Sequence, residues 1–366
     1  MKPLRAALVA SLPVLVLAAA AFAAEDEPAQ ADPALVEAWR KDLAAKADAA
    51  RAAGCMTVVG ADGWLFFAGE LKHLAAGKFW GPDAAKVSQA SDPANADPLP
   101  AIRDFHASLK ALGVELLLVP IPPKAVIYPD KISSLVTVAP GALPPRLDPD
   151  HQAFYDLLRQ DGIRVLDLVP LLMRNRLNAD GAMYCKQDTH YSGKAVVLVA
   201  DAVRRAVADP DWLAAVPKKD YADQWQPIPI SGDLWQGLKD ESLPREELPL
   251  RFVGTRQGDA LEPIEPDRTS PLILLGDSHT LVFSVGQDLH ARGAGLPDQL
   301  ALAFGFSPDV VGIRGSGATP ARINLYRRSQ SDPLYWNPKK LVVWCFTARE
   351  FTECGPSGWR ILPVKK

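Results

Sequence analysis

An α/β domain built on a parallel sheet, with helices covering both faces, is the architecture this sequence predicts. Three observations carry that reading. The apolar runs Val114-Glu115-Leu116-Leu117-Leu118-Val119-Pro120, Leu272 to Leu275 and Leu341 to Phe346 are nearly continuous rather than alternating, as in strands buried on both faces. Segments of helical periodicity separate them. A serine, Ser278, follows the second run on a short Gly-Asp-Ser turn, and open α/β sheets place function beyond the carboxyl ends of their strands.

Taken in order, Met1-Lys2-Pro3-Leu4-Arg5 and the apolar stretch from Ala6 to Ala24 fit a secretory signal peptide cleaved after Ala23. An uncleaved N-terminal anchor is the alternative, because the run is near spanning length. Both readings export the remainder of the chain. Residues 24–54 then divide into an acidic, Pro/Ala-rich linker, Glu25 to Asp32, and an N-terminal helix from Pro33 to Ala53. That helix carries Leu35, Val36, Trp39 and Leu43 on one face and stops at Gly54. Residues 55–366 form the main domain. It opens with a hairpin, since Asp62-Gly63 lies between Val58-Val59 and Trp64-Leu65-Phe66-Phe67.

Three prolines make Asp92 to Pro100 a connector. Leu99 to Leu112 and His151 to Gln160 read as helices, the Pro-rich Ala139 to Pro149 as a loop, and Arg164 to Leu168 as a strand. Ser192 is placed to cap a helix running to Ala208. Pro210 to Thr269 has weak periodicity and many prolines, and reads as an irregular insertion near the mouth of the site. A helix is expected from Thr280 onward.

A formal net charge of −3 over 366 residues offers no basic face for nucleic acid. Four cysteines in an exported chain predict two disulfides. Cys345 and Cys354 are near enough in sequence to close a small loop, which leaves Cys55 for Cys185.

The chemistry lies in two short motifs. Tyr184-Cys185-Lys186-Gln187-Asp188-Thr189-His190-Tyr191-Ser192 supplies a carboxylate and an imidazole two residues apart, and Leu272 to Thr280 supplies Ser278. A serine needs a base to become a nucleophile, and the base needs a carboxylate to fix its tautomer. Ser278, His190 and Asp188 can play these parts. The bland alternatives are a capped strand-to-helix turn at Ser278 and a structural, helix-capping His190. A metal site of Asp188, His190, Asp277 and His279 is disfavoured because it leaves Ser278 without a task. The expectation is therefore no metal and no cofactor. Gly312-Ile313-Arg314-Gly315-Ser316-Gly317-Ala318 either presents backbone N–H groups to an oxyanion or is a plain loop.

Asp-x-His ahead of Gly-x-Ser reverses the order of ordinary SGNH esterases. With Gly63-Trp64-Leu65-Phe66, Asp188-Thr189-His190-Tyr191-Ser192 and Val342-Val343-Trp344-Cys345-Phe346 followed by Ala348-Arg349-Glu350-Phe351, the chain resembles the alginate O-acetyltransferase family. The resemblance covers Val58 to Phe351 and is to the shorter branch that lacks a C-terminal carbohydrate-binding module. It implies an SGNH hydrolase-like three-layer sandwich in circularly permuted order, acting in the periplasm on an exopolysaccharide. It further implies Ser278 as nucleophile, His190 as base and Asp188 as its orienter. Ser278, Gly315 and Gly317 would form the oxyanion hole, and a membrane-bound O-acyltransferase partner would deliver the acetyl group. The expected form is a monomer within a membrane-associated complex.

The Gly-Asp-Ser spelling at Asp277 is closer to hydrolases, so a secreted carbohydrate acetylesterase remains the second reading. A non-catalytic polysaccharide-binding scaffold, using a row such as Trp225 and Trp235, is the third. Arg314, Arg349 and Trp235 are the candidates to line an acceptor groove for an acidic polymer.

Overall fold

A computed structural model describes residues 28–240, 242–258 and 260–365. The expected signal or anchor segment lies outside them. No helix among the described residues is long and apolar enough to cross a membrane.

The strands, in chain order, are β1 (Thr57–Val59), β2 (Leu65–Phe67), β3 (Glu115–Ile121), β4 (Arg164–Val165), β5 (Ala222–Ile230), β6 (Glu246–Gln257), β7 (Ala260–Pro263), β8 (Leu272–Gly276), β9 (Asp309–Gly312) and β10 (Leu341–Thr347). Five of them form the central sheet in the order β4-β3-β10-β8-β9, every pair parallel. Leu117 and Val119 of β3, Leu274 of β8 and Val343 of β10 enter one core. Their neighbours Leu116, Leu118, Ile273, Leu275, Val342 and Trp344 enter the other. Period-two geometry with both faces buried is why these strands read as unbroken apolar runs. The helices Pro33–Ala52, Gly193–Val207 and Leu296–Phe304 contribute to the first core, and Pro98–Ala111, Pro149–Gln160 and Thr319–Gln330 to the second. The result is the three-layer α/β sandwich the sequence predicts.

The N-terminal helix is built into this core, with Trp39 and Leu43 fully buried. Asp32 caps it by accepting the Ala34 N–H. The Asp62-Gly63 hairpin forms, both residues taking positive φ while Val59 pairs with Leu65. Ser192 caps its helix by accepting the Ala195 N–H at 3.2 Å.

Four expectations are corrected. The stretch Pro210 to Thr269 is not irregular: it carries the antiparallel sheet β5-β6-β7 and the short helix Asp233–Leu238. Pro227 stands opposite Pro249, a pair without N–H groups to exchange. Prolines at such a position spoil the sequence signal without spoiling the ladder. The strand predicted over Arg164 to Leu168 stops at Val165, because the Asp167 carboxylate turns to accept the Val169 N–H and to pair with Arg146. No helix starts at Thr280: Ser278–Thr280 is one 3-10 turn, and the chain doubles back before the helix Leu296–Phe304.

The disulfides are absent as well. Cys55, Cys185, Cys345 and Cys354 are all free thiols. Cys345 points from β10 into one core and Cys354 lies in the other, so the sheet separates them. Cys185 donates toward the Tyr191 carbonyl, and Cys55 lies near the carbonyls of Thr57 and Gly237.

Candidate active site

At the carboxyl ends of β8 and β10 the chain converges on Ser278. Gly276, the last residue of β8, lies so close to β10 that a Cβ would sit 1.7 Å from the Cys345 carbonyl oxygen. Only glycine permits that approach. Asp277 then ties the two strand ends together. Its Oδ2 accepts the Thr347 N–H and its Oδ1 the His279 N–H, each at 2.8 Å. Ser278 is thereby held on the turn, half-buried.

The partner segment is the tip of a tight loop. Tyr184 and Tyr191 bridge, Ser192 N–H donates to Met183 and Cys185 N–H to His190. At the tip Asp188 Oδ1 accepts the His190 backbone N–H at 2.9 Å and lies 2.6 Å from His190 Nδ1. His190 Nε2 is 2.8 Å from Ser278 Oγ. A local turn therefore puts Asp188 and His190 in register. With Nδ1–H donated to a carboxylate, Nε2 carries the lone pair that faces the serine hydroxyl.

Electrostatics follow from burial and partners. Burial is the largest influence on His190 and opposes its charging, but the Asp188 charge and hydrogen bond outweigh it, so the imidazole pKa is raised. Burial likewise pushes the Asp188 carboxyl upward. Its bonds and attraction to His190 and His290 prevail and hold it well below the usual carboxylate range. The Asp188–His190 unit is thus poised to take a proton on the imidazole while the carboxylate stays charged.

Three residues that sequence reasoning missed hold this unit. Asp188 Oδ2 accepts the Asp233 N–H and the His290 Nε2–H, each at 3.0 Å. Asp233 in turn accepts the Thr189 N–H at 2.8 Å and its hydroxyl at 2.6 Å. Lys124, buried just past β3, donates to the carbonyls of Asp188 at 2.6 Å and Leu65 at 2.8 Å. A lysine directly after a buried strand is a signal that could have drawn notice. Asp288-Leu289-His290 repeats the Asp-x-His spacing and could have drawn notice to His290, whereas nothing in the sequence marks Asp233.

The remaining candidates divide. Gly317 packs against the foot of the serine turn, where a Cβ would meet the Asp277 nitrogen at 2.9 Å and Phe346 Cβ at 2.6 Å. Trp344 Nε1–H donates to its carbonyl at 2.8 Å. Ser316 donates to Glu350 at 2.5 Å, and burial pushes the Glu350 carboxyl up to about 8. The loop Gly315–Gly317 therefore lies beside the serine turn and is pinned from two sides. Arg349 follows β10, donates to Thr347 Oγ1 at 3.3 Å and stacks its guanidinium over Phe67, 5.3 Å from the ring centroid.

Arg314 is exposed and paired with Asp288 at 2.8 Å. Trp235 is half-buried, bonded through its indole N–H to Leu243, and its backbone N–H donates to Gln187 beside Asp188. Trp225 is exposed on β5 under Lys194. The four residues weighed as metal ligands do not converge. Asp277 is committed to backbone N–H groups, whereas Asp188 and His190 cluster with Asp233 within 4.8 Å.

A family model described as an SGNH hydrolase-like domain, acetyltransferase AlgX, matches residues 57–348. Among curated relatives, the probable alginate O-acetylase AlgJ of Pseudomonas fluorescens is 24% identical over 254 residues, covering 68% of this chain and 60% of that protein. Its namesake from Pseudomonas aeruginosa is 28% identical over 307 residues, covering 80% and 69%. The chain therefore spans less than two thirds of the first of these. Among solved structures, the O-acetyltransferase domain of Pseudomonas putida AlgJ superposes with a TM-score of 0.58 at 21% identity, covering 81% of this chain and 92% of that one. Pseudomonas aeruginosa AlgX gives 0.53 at 17%, covering 80% and 61%. Both structures speak to the fold.

Proposed function

The chain belongs to the family of SGNH hydrolase-like acetyltransferases described by AlgX, and on that footing we propose that it moves an acetyl group through an acetyl-serine onto hydroxyls of an exopolysaccharide such as alginate. One observation supports this most: the continuous contact from Asp188 through His190 to Ser278 Oγ.

In this reading His190 Nε2 takes the Ser278 proton as Oγ attacks the acetyl carbonyl of the donor. The negative charge that develops on the carbonyl oxygen is met by the Ser278 N–H and the Gly315–Gly317 loop. His190 returns the proton to the departing donor oxygen, leaving acetyl-Ser278 and a neutral imidazole. A sugar hydroxyl then gives its proton to the same Nε2 and attacks the acetyl carbon. Collapse of that second tetrahedral intermediate breaks the bond to Oγ, which recovers the proton. Asp188 keeps its charge throughout and stabilises the imidazolium formed at each attack.

Arg349 and Trp235 are the side chains we assign to the acceptor side. Arg314 needs its pair with Asp288 opened before it can serve an anionic sugar. The same reading takes residues 55–366 as the catalytic domain, the periplasm as its place of action and a membrane-bound O-acyltransferase as donor partner. It requires no cofactor.

The experiment incubates the protein with an acetyl donor and an acidic oligosaccharide and weighs the sugar. A gain of one acetyl unit per modified hydroxyl is expected. Release of acetate at a rate indifferent to the acceptor overturns transfer in favour of the esterase, and no turnover at all favours a binding scaffold.

A further inference from the structure

His290 is not needed for a three-residue relay, yet the chain goes to unusual lengths to place it. It has φ 74° and ψ −58°, and the Ala291 N–H donates to the Leu289 carbonyl at 3.0 Å. That is a γ-turn centred on a non-glycine residue in the sparsely populated positive-φ form. Phe283 and Gln287 in the same loop also take positive φ, at 61° and 59°. The loop is held by its own backbone bonds, Phe283 to Leu289, Gly286 to Ala291 and Ala294 to Phe283. Phe283 is fully buried, and its ring lies 5.8 Å from the His290 ring. Strain of this kind persists where surrounding structure over-determines it, and it concentrates at working sites. Here the outcome is specific: His290 Nε2 arrives 3.0 Å from Asp188 Oδ2, the oxygen that His190 does not use. Because a charged carboxylate only accepts, that nitrogen must carry the hydrogen.

Resting on the acyl-transfer reading above, we propose that His290 is a positioning residue of the site, whose Nε2–H fixes the Asp188 carboxylate in the orientation that serves His190. Asp188 is then shared by two imidazoles on opposite oxygens, and among the described residues the Asp233 N–H is the only other donor to Oδ2. Removing the His290 donor has two consequences. The carboxylate gains freedom to rotate, which lowers the fraction of enzyme with His190 aligned on Ser278. It also becomes more basic, so it pulls harder on the His190 proton and the imidazolium becomes easier to form. The acid limb of the rate profile, which reports the free enzyme's base, then moves to higher pH. The other charged or titratable groups acting on the pair are Asp233, Arg349, His279, Glu246, Lys124 and the buried Cys185 thiol, all untouched by the change.

The test compares His290→Gly, His290→Gln and Ser278→Ala with the unaltered chain. Three readouts are taken: kcat/KM for a chromogenic acetyl ester against pH, the thermal midpoint, and the His190 ring titration by NMR. Glycine adopts φ 74° without a Cβ penalty, which offsets part of the packing and hydrogen bond lost with the ring, so the Gly variant should remain folded at assay temperature. It should nevertheless lose on the order of tenfold in kcat/KM, as removal of an outer hydrogen-bond partner typically does, with its acid limb and His190 titration moved upward. Gln carries an amide N–H near the position of Nε2 and should recover most of the rate. A Gly variant with parental rate and an unmoved limb overturns the proposal. So does a rate loss that merely tracks loss of folded protein, with Gln no better than Gly. If Ser278→Ala turns over ester as fast as the parent, the acyl-serine reading fails instead. The NMR titration of His190 then still decides whether His290 acts on Asp188.

Discussion

The chain contains the spacing Asp-x-His four times, and two of the copies, Asp188-Thr189-His190 and Asp277-Ser278-His279, meet at Ser278 with different partners. Each makes the same local turn, the aspartate Oδ1 accepting the backbone N–H two residues on, at 2.9 Å and 2.8 Å. Beyond that they diverge. His190 Nδ1 closes on its carboxylate at 2.6 Å, whereas His279 Nδ1 stands 3.4 Å from Asp277 and makes no hydrogen bond. Asp188 spends its second oxygen on Asp233 and His290; Asp277 spends its own on the end of β10. The rings lie only 4.7 Å apart, yet the His190 pKa is raised while burial pushes His279 down to about 4. An acid–imidazole spacing is thus a local geometry, and the partners beyond the turn decide whether the imidazole closes on its carboxylate, as His190 does, or stands off it, as His279 does.

Removing the shared element of the comparison has the largest effect. Ser278→Ala should cut acetyl-ester turnover by roughly 10⁴-fold or more, and His190→Ala about as much, with both proteins folded. Single-turnover assays beside circular dichroism check this, and a Ser278→Ala protein near parental activity would end the serine mechanism. Asp188→Asn should cost about 10³- to 10⁴-fold, because the amide favours the wrong tautomer of His190.

The equivalent change in the other copy should show in stability first. Asp277→Asn sets an NH2 against a buried backbone N–H and should lower unfolding free energy by about 2–3 kcal/mol. Urea melts give the number. An unchanged midpoint would mean the bond to Thr347 is not a brace.

The two histidines should also separate on titration. His190 must be neutral to act, so the rate should rise with pH through a midpoint above 6.5, the ordinary imidazole value. Its raised pKa adds stability that is full below the unfolded value and fades as pH rises through the folded one. His279 has the reverse sign: its stability is present above about 6.5 and is lost as the pH falls toward about 4. An NMR titration of the two rings reads both, and the same direction of shift in each would dissolve the contrast. The smallest effect belongs to His279→Phe, which should leave kcat/KM within about tenfold of the parent, since the ring's unsatisfied nitrogen earns no bond.

Much of this was legible in the residues. The runs around Leu117, Leu274 and Val343 named the strands of a two-sided sheet, because complete burial leaves no alternation to hide. Ser278 on its turn, the Asp62-Gly63 hairpin and the Ser192 cap are local features that follow from neighbouring residues. The β5-β6-β7 sheet was not legible, since its ladder joins Ala222 to Gly254 and tolerates prolines in pairs. The cysteines misled because proximity in sequence says nothing of which face of a sheet a side chain takes.

The layers, the strand that ends at Ser278 and the local turns at Asp188 and Asp277 are set by periodicity or by contacts within a few residues, so the residues alone express them. Which Asp-x-His turn brings its imidazole to Ser278 Oγ is settled by long-range packing. That choice is made by Asp233, His290 and Lys124, from three separate elements. Their hydrogen bonds to the Asp188 segment span 45, 102 and 64 positions of chain. No local pattern encodes contacts of that range; they exist only once burial of the shared core has brought those elements together.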